Sequence, residues 1–312
     1  MKIIGHNREK ELIKKYLDKN YLAYSFLFEG KDCIGKKAVA LQTAKSFLCE
    51  TEYNLGCGEC QSCKLVENTI LSIYDNKRDI TTHPFIRIVS PENNKEIKID
   101  QIRDIIQFLK LKSKTGKVVI IENAEKMNIE ASNSLLKTLE EPPEKTLIIL
   151  TTSNITKLLP TIVSRTLKVR FSPLTDEEVK EILKIKGADK KNINIDILVS
   201  LAEGSLCLPE KILKNPVLFK YAKDFFNLLV SKVNHIEGII RLAELIDKLE
   251  YEDIKVILTI LDIYIYRKTL KGKISTELYE KFILESKLLD RAISKGVKKK
   301  LAFEGFYFKL VS

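Results

Sequence analysis

Short apolar runs that stop abruptly at polar residues punctuate the first half of the chain. Val118–Ile121 gives way to Glu122-Asn123, and Leu147–Leu150 to Thr151-Thr152-Ser153-Asn154. Ser25–Glu29 leads into a glycine-rich stretch, and Phe85–Val89 and Thr166–Phe171 are two further strand candidates. Runs of this length with polar ends suit strands buried on both faces of a parallel sheet. Between them lie stretches of helical periodicity: residues 8–19, a segment from Lys36 to about Leu48, one after Asn123, and Ile99–Leu111 with Asp100 near its start. Strand and helix in alternation predict a three-layer α/β domain with a parallel sheet. In such sheets ligands gather at the carboxyl ends of the strands, where the polar residues stand here.

The pattern changes at Ser172-Pro173-Leu174-Thr175. Thr175-Asp176-Glu177-Glu178 reads as a capping box, and from there on the periodicity is helical with no convincing strand. Gly204-Ser205 separates two helices, and Pro216 marks a further boundary. Beyond it, Ile254–Leu270 and Lys299–Val311 read as helices. The expected organisation is thus an α/β domain over 1–171, a small helical lid over 172–215, and an all-α domain over 216–312.

Composition narrows this only slightly. The 312 residues are 45% hydrophobic and 30% charged, the balance of a globular chain with room for two or three cores. No apolar run approaches the roughly 20 residues that span a bilayer. The first residues lack a signal-type apolar stretch, so a cytoplasmic protein with no membrane partner is expected. The net charge of +11 permits contact with nucleic acid or an acidic partner. Lysines are nevertheless spread along the whole chain, and the one dense cluster is Lys295–Lys300.

Three motifs carry candidate chemistry. Gly30-x4-Gly35-Lys36, between a strand and a helix, has P-loop form: glycines let backbone N–H groups wrap phosphates, and the lysine reaches the outer ones. The next position should carry a hydroxyl for Mg²⁺, but it is Lys37. The acidic strand end that accompanies a P-loop is Glu122, followed by Asn123 where an ATPase of this kind places a glutamate base. Asn cannot accept the proton, so general-base catalysis fails at that position. Gly30, Gly35, Lys36, Lys37, Glu122 and Asn123 form the candidate nucleotide set, with binding of ATP or ADP left open.

The second motif is Cys49-x7-Cys57-x2-Cys60-x2-Cys63. Four thiolates at such spacing suit a structural Zn²⁺ site, with Gly58 in the knuckle turn. An iron–sulfur reading would place the fourth cysteine downstream and before a proline, which is not the order here. Cys33 and Cys207 stand apart and are expected to be ordinary thiols. His83 is expected to be structural.

The third motif is the pair Leu135-Leu136-Lys137-Thr138-Leu139-Glu140-Glu141-Pro142-Pro143 and Pro160-Thr161-Ile162-Val163-Ser164-Arg165. With the P-loop and the cysteine insertion, it resembles the clamp-loader branch of the AAA+ ATPases. The family usually has Cys where Thr166 stands. Thr82-His83-Pro84 and Ile97–Ile105 also look like a bacterial DNA polymerase III loader subunit. The resemblance covers 1–215 well and the C-terminal helices loosely.

It implies that Arg165 is an arginine finger acting in trans, its rigid fork of donors suited to a γ-phosphate. It implies that 216–312 is an oligomerising collar. Gly204-Ser205-Leu206-Cys207-Leu208-Pro209 lacks the phosphate-sensing arginine such lids carry, a third deficit beside Lys37 and Asn123. The expectation is a subunit with no catalysis of its own, in a DNA-replication ring. Its partners would be gamma/tau and delta clamp-loader subunits and, through the complex, a sliding clamp and primer–template DNA. The rival readings are an active gamma/tau-type ATPase and a stand-alone zinc-containing DNA-binding protein.

Overall fold

The computed structural model describes residues 3–17, 23–51, 56–74, 83–92, 95–190, 193–231 and 236–312. Thr82 lies outside them. The elements of the first half run α1 (Asn7–Leu17), β1 (Ala23–Glu29), α2 (Lys36–Phe47), α3 (Gln61–Tyr74), β2 (Ile86–Val89), α4 (Ile99–Leu109), β3 (Lys117–Ile121), α5 (Ile129–Glu140), β4 (Thr146–Thr152), α6 (Pro160–Ser164) and β5 (Leu167–Arg170). The second half runs α7 (Asp176–Ile185), α8 (Ile195–Ala202), α9 (Cys207–Lys214), α10 (Val217–Val230), α11 (Ile236–Asp247), α12 (Tyr251–Leu270), α13 (Thr276–Ser294) and α14 (Lys299–Val311).

The five strands form one parallel sheet in the order β2-β3-β4-β1-β5. Every residue of β3 and β4 is buried, because helices cover both faces, and this is why these runs are continuously apolar rather than alternating. On one face Val119, Ile121, Ile148 and Leu150 pack with Ile102, Ile105 and Phe108 of α4 and Leu135 and Leu139 of α5. Each such side chain removed from water contributes about 1.5–3 kcal/mol before chain entropy is set against it. The aromatic rings of β1 lie in a tilted row that continues to Phe171: Phe26 and Phe28 have centroids 6.1 Å apart, and Phe28 lies 4.9 Å from Phe171.

Two helices of the α/β unit were not expected from the sequence, the short α6 and α3. α3 begins inside the cysteine segment and carries Cys63; the metal-type spacing masked its helical pattern. The other elements agree with the expected ones to within a few residues. The Thr175 capping box is present in both directions: the Glu178 N–H donates to Thr175 Oγ1 at 3.2 Å, and the Thr175 N–H to Glu178 Oε2 at 2.9 Å.

The chain divides into two compact units, residues 1–181 with 204–206, and 182–203 with 207–312. The second is wholly helical. Within it, Phe225 of α10 sits among Phe303, Phe306 and Tyr307 of α14, with ring centroids 5.1–5.8 Å away. Part of the Lys295–Lys300 cluster is committed internally. Lys300 Nζ pairs with Glu244 at 2.8 Å, and Lys299 Nζ donates to the Leu249 carbonyl at 2.5 Å. No helix of the described residues is long and apolar enough to cross a membrane.

Residues 204–206 belong to the α/β unit although helices of the other unit flank them in sequence. Gly204 has φ +75°, and a Cβ there would lie 2.5 Å from Pro173 Cβ and 3.0 Å from the Leu174 carbonyl oxygen. Only glycine fits that turn. Gly204→Ala should therefore lower stability by about 1–3 kcal/mol, read as an earlier midpoint in urea unfolding of the full chain.

Candidate functional site

The sheet order explains which groups meet. β1 lies between β4 and β5, and β4 separates it from β3, so the loop after β1 faces the ends of β4 and β3. The Gly30 N–H donates to the Thr152 carbonyl at 3.1 Å, which starts the loop directly over the end of β4. Gly30 has φ +159° and Gly35 φ +103°; a Cβ at Gly30 would strike the Phe171 carbonyl oxygen at 2.7 Å. Ser205 Oγ donates to the Asp32 carbonyl at 2.7 Å and the Leu206 N–H to the Cys33 carbonyl at 3.0 Å, so the 204–206 segment clasps the loop from outside.

Lys36 is 94% buried by side-chain packing at the start of α2, being 6% exposed. Its ammonium donates to the Gly30 and Lys31 carbonyls at 2.6 Å each. Burial lowers its pKa, and the nearby carboxylates of Asp32 and Glu125 oppose the shift. The next residue, Lys37, reaches across to β3: its Nζ is 2.6 Å from Glu122 Oε1, and both side chains are largely shielded from water. The other Glu122 oxygen accepts from Ser90 Oγ at 3.1 Å, at the end of β2. Asn123 follows in the left-handed conformation, φ +51°, which Asn tolerates better than most residues, and its N–H donates to Thr151 Oγ1 at 3.2 Å. All six residues of the candidate nucleotide set thus belong to one face.

Arg165 lies apart from that face, at the carboxyl end of α6. It pairs with Glu140, the last residue of α5, with Nε donating at 2.7 Å, and Nη1 donates to the Thr161 carbonyl at 3.0 Å. Its side chain is one-third exposed. Thr166, in the place of the family's cysteine, turns its hydroxyl back onto the Ile162 and Val163 carbonyls.

The four clustered cysteines converge as their spacing predicts. Their sulfurs all lie within 4.8 Å of one another, and Cys57 Sγ and Cys63 Sγ are 4.0 Å apart. A tetrahedron of Zn–S bonds near 2.3 Å puts sulfurs about 3.8 Å apart, so the space fits one tetrahedral ion. Backbone N–H groups of Cys57, Cys60 and Cys63 donate to Cys49, Cys57 and Cys60 sulfurs at 3.3–3.4 Å, an arrangement that stabilises thiolates. Gly58, φ +77°, makes the knuckle turn. Cys33 and Cys207 depart from expectation: both are disulfide-bonded rather than free thiols.

Comparison with known proteins decides the family. The model of the family described as "DNA polymerase III, delta subunit" matches residues 5–175, more than half of the chain. The chain belongs to that family. The delta' subunit of DNA polymerase III from Pseudomonas aeruginosa is 39% identical over 147 residues, 46% of this chain and 41% of that protein. The delta' subunit from Bacillus subtilis is 35% identical over 181 residues, 56% of this chain and 50% of that one. The tau subunit from Bacillus subtilis is 31% identical over 209 residues, 65% of this chain and 35% of that protein. The chain spans about half, or less, of the length of these curated relatives. A DNA polymerase III gamma subunit-related protein from Thermotoga maritima matches 97% of this chain and 98% of its own, with a TM-score of 0.58 at 22% identity, which shows a shared fold. These relationships place the chain in the DNA polymerase III delta family, and the structural match shows that it shares the fold of the gamma subunit-related protein.

Sequence reasoning missed three members of the candidate nucleotide face. Ser90 holds Glu122. Glu125 lies close enough to influence Lys36, and its Oε1 accepts from the Ser153 N–H and Oγ at 3.2 and 2.7 Å. His6 places Nε2 2.6 Å from the Ile34 carbonyl inside the loop. Each is a polar residue at a strand end or in an opening turn, a signal the sheet order alone makes specific. His83 is structural, as expected: Nδ1 accepts from the Phe85 N–H at 3.1 Å and Nε2 lies 2.9 Å from Ser62 Oγ. Burial lowers its pKa, against a smaller opposing effect of Glu50, which favours the neutral ring.

The cysteine geometry makes a spectroscopic prediction. Cobalt(II) added to metal-stripped protein should give the intense tetrahedral thiolate spectrum at one ion per chain, and Cys60→Ser should shift and weaken it. An octahedral spectrum would refute four-sulfur coordination.

Proposed function

We propose that this chain is a hydrolysis-deficient clamp-loader subunit that completes a ring and supplies Arg165 to the ATP site of a neighbouring gamma/tau-type subunit. One asymmetry carries the reading. Its own nucleotide face has Asn123 where a base is needed and Lys37 where a metal-binding hydroxyl is needed. Its arginine sits instead at a separate, partly exposed helix end. A guanidinium stays charged at any working pH and offers a planar fork to a γ-phosphate, which stabilises transferred-phosphoryl charge.

The relatives named delta', tau and gamma support a hetero-oligomeric setting with gamma/tau and delta subunits, and through it a sliding clamp and primer–template DNA. Residues 1–171 serve as the ATPase-like domain, 172–215 as the lid and 216–312 as the collar. The cysteine module holds structural Zn²⁺, since a closed set of four thiolates leaves no open position for catalysis. The ion would cross-link the loop between α2 and α3, and an iron–sulfur cube would need more separation between sulfurs than 4.8 Å.

In this role Arg165 would exchange Glu140 for a neighbour's phosphate. The pair is solvent-accessible, so its intrinsic strength is small and a polyphosphate competes well against a single carboxylate. Arg165→Ala should leave ring assembly intact on size exclusion and lower turnover at the one site it serves by about 10³-fold or more. The whole loader's DNA-stimulated ATPase then falls by that site's share. Normal ATPase in the assembled mutant would overturn the finger role. Steady ATP hydrolysis by the isolated chain would instead favour a gamma/tau-type motor.

A further inference from the structure

β2 has four residues and pairs with β3 alone, and both of its ends are fixed by side chains. Short strands with one neighbour open more readily than central ones, so such anchors matter. His83 holds the start. Its Nδ1 accepts from the Phe85 N–H at 3.1 Å, and its carbonyl accepts from the Ile86 N–H at 3.3 Å. The other end reaches the candidate nucleotide face. There the Val89 carbonyl accepts from the Glu122 N–H at 2.8 Å, and Ser90 Oγ donates to Glu122 Oε2 at 3.1 Å.

His83 is held in its turn by the cysteine module. Its Nε2 lies 2.9 Å from Ser62 Oγ, and Ser62 stands between Cys60 and Cys63 in the first turn of α3. Both residues are buried. Parting them would leave two polar groups with neither water nor a partner, so they move together. Where Ser62 sits depends on the cysteines that flank it. A bound metal ion would fix Cys60 and Cys63 to one point, with Ser62 between them. In its absence the N–H donors at 3.3–3.4 Å hold these sulfurs far less firmly than a metal bond would.

We propose that metal bound by the four cysteines controls the seat of Glu122, acting through Ser62, His83 and β2. The proposal rests on reading the cysteine cluster as a metal site, and it gives that site a regulatory consequence for a face it does not touch. The ion fixes the first turn of α3, and that turn fixes His83. His83 fixes the entry of β2, and the strand carries the carbonyl and the hydroxyl that hold Glu122. Loss of metal frees the entry first. The far end keeps a separate tie, because Gln101 Nε2 of α4 donates to the Ser90 carbonyl at 3.2 Å. The effect therefore fades along the strand, large at Ile86 and smaller at Glu122. The body of α3 stays in place, since Val66 and Ile70 are buried and Glu67 pairs with Lys45 of α2. What loosens is the junction between α3 and the sheet margin.

The test is hydrogen exchange resolved to single amides on the full chain, zinc-loaded and chelator-stripped, with zinc content measured in each sample. Stripping should speed exchange about tenfold at Ile86 and about threefold at Glu122. The Phe171 amide, bonded to the Glu29 carbonyl on the other side of the sheet, should keep its rate. Zinc-loaded Ser62→Ala should show the same acceleration with its zinc content intact, and stripping it should add less than about twofold. Equal exchange at Ile86 in loaded and stripped wild type would overturn the proposal, as would wild-type rates in zinc-loaded Ser62→Ala. Equal acceleration at Phe171 would show a general loss of stability and overturn it too. A chain that holds no zinc would overturn the metal reading together with this inference. A chain that holds zinc without the shift would overturn this inference alone.

Discussion

Three neighbouring parallel strands, β3, β4 and β1, govern the placement of everything else. Their backbone groups are paired strand to strand, from Lys117–Thr146 to Ile121–Leu150 on one side and from Ala23–Thr146 to Glu29–Thr152 on the other. Because both faces are covered, the register cannot slip without turning polar strand ends into the core. Fixing that register fixes the distance from Glu122 to the loop after β1, with Thr151 and Thr152 between them. The grouping of polar residues on the candidate nucleotide face is a property of strand order before it is a property of any side chain.

That dependence explains what the sequence disclosed. Apolar runs with polar ends located β1, β3 and β4, and the P-loop spacing located the turn with its two required glycines. Four cysteines at knuckle spacing located one another because ligand geometry is encoded in short separations. Motif context singled out Arg165 but could not place Glu140 under its guanidinium, since residues 25 positions apart meet only through the packing of α5 against α6. The same limit hid Ser90 and Glu125. The sequence showed Lys37 as a departure from the motif and Glu122 as its expected acidic strand end, and the fold joins the two in one ion pair.

Compensation of that kind distinguishes a remodelled site from a decayed one. A lysine dropped into a metal position beside other cations would be destabilising. Here Glu122 offsets its charge, and Ser90 orients that carboxylate in turn. The glycines at positive φ belong to the turn itself: a Cβ at Gly30 would strike the Phe171 carbonyl oxygen. The loop has P-loop spacing, and Asn123 stands at the end of β3 where the proposed function calls for a missing base.

His83 gives the cysteine module a mechanical role at the far side of the sheet. β2 is an edge strand of only four residues, and the segment entering it is held by the Phe85 N–H on His83 Nδ1. His83 is held in turn by Ser62, which stands between Cys60 and Cys63. An open strand edge is a template for pairing with foreign chains. Through Ser62 and His83 the helix that carries Cys63 is tied to the segment that enters this edge, so order in the cysteine loop and order at the sheet margin are linked.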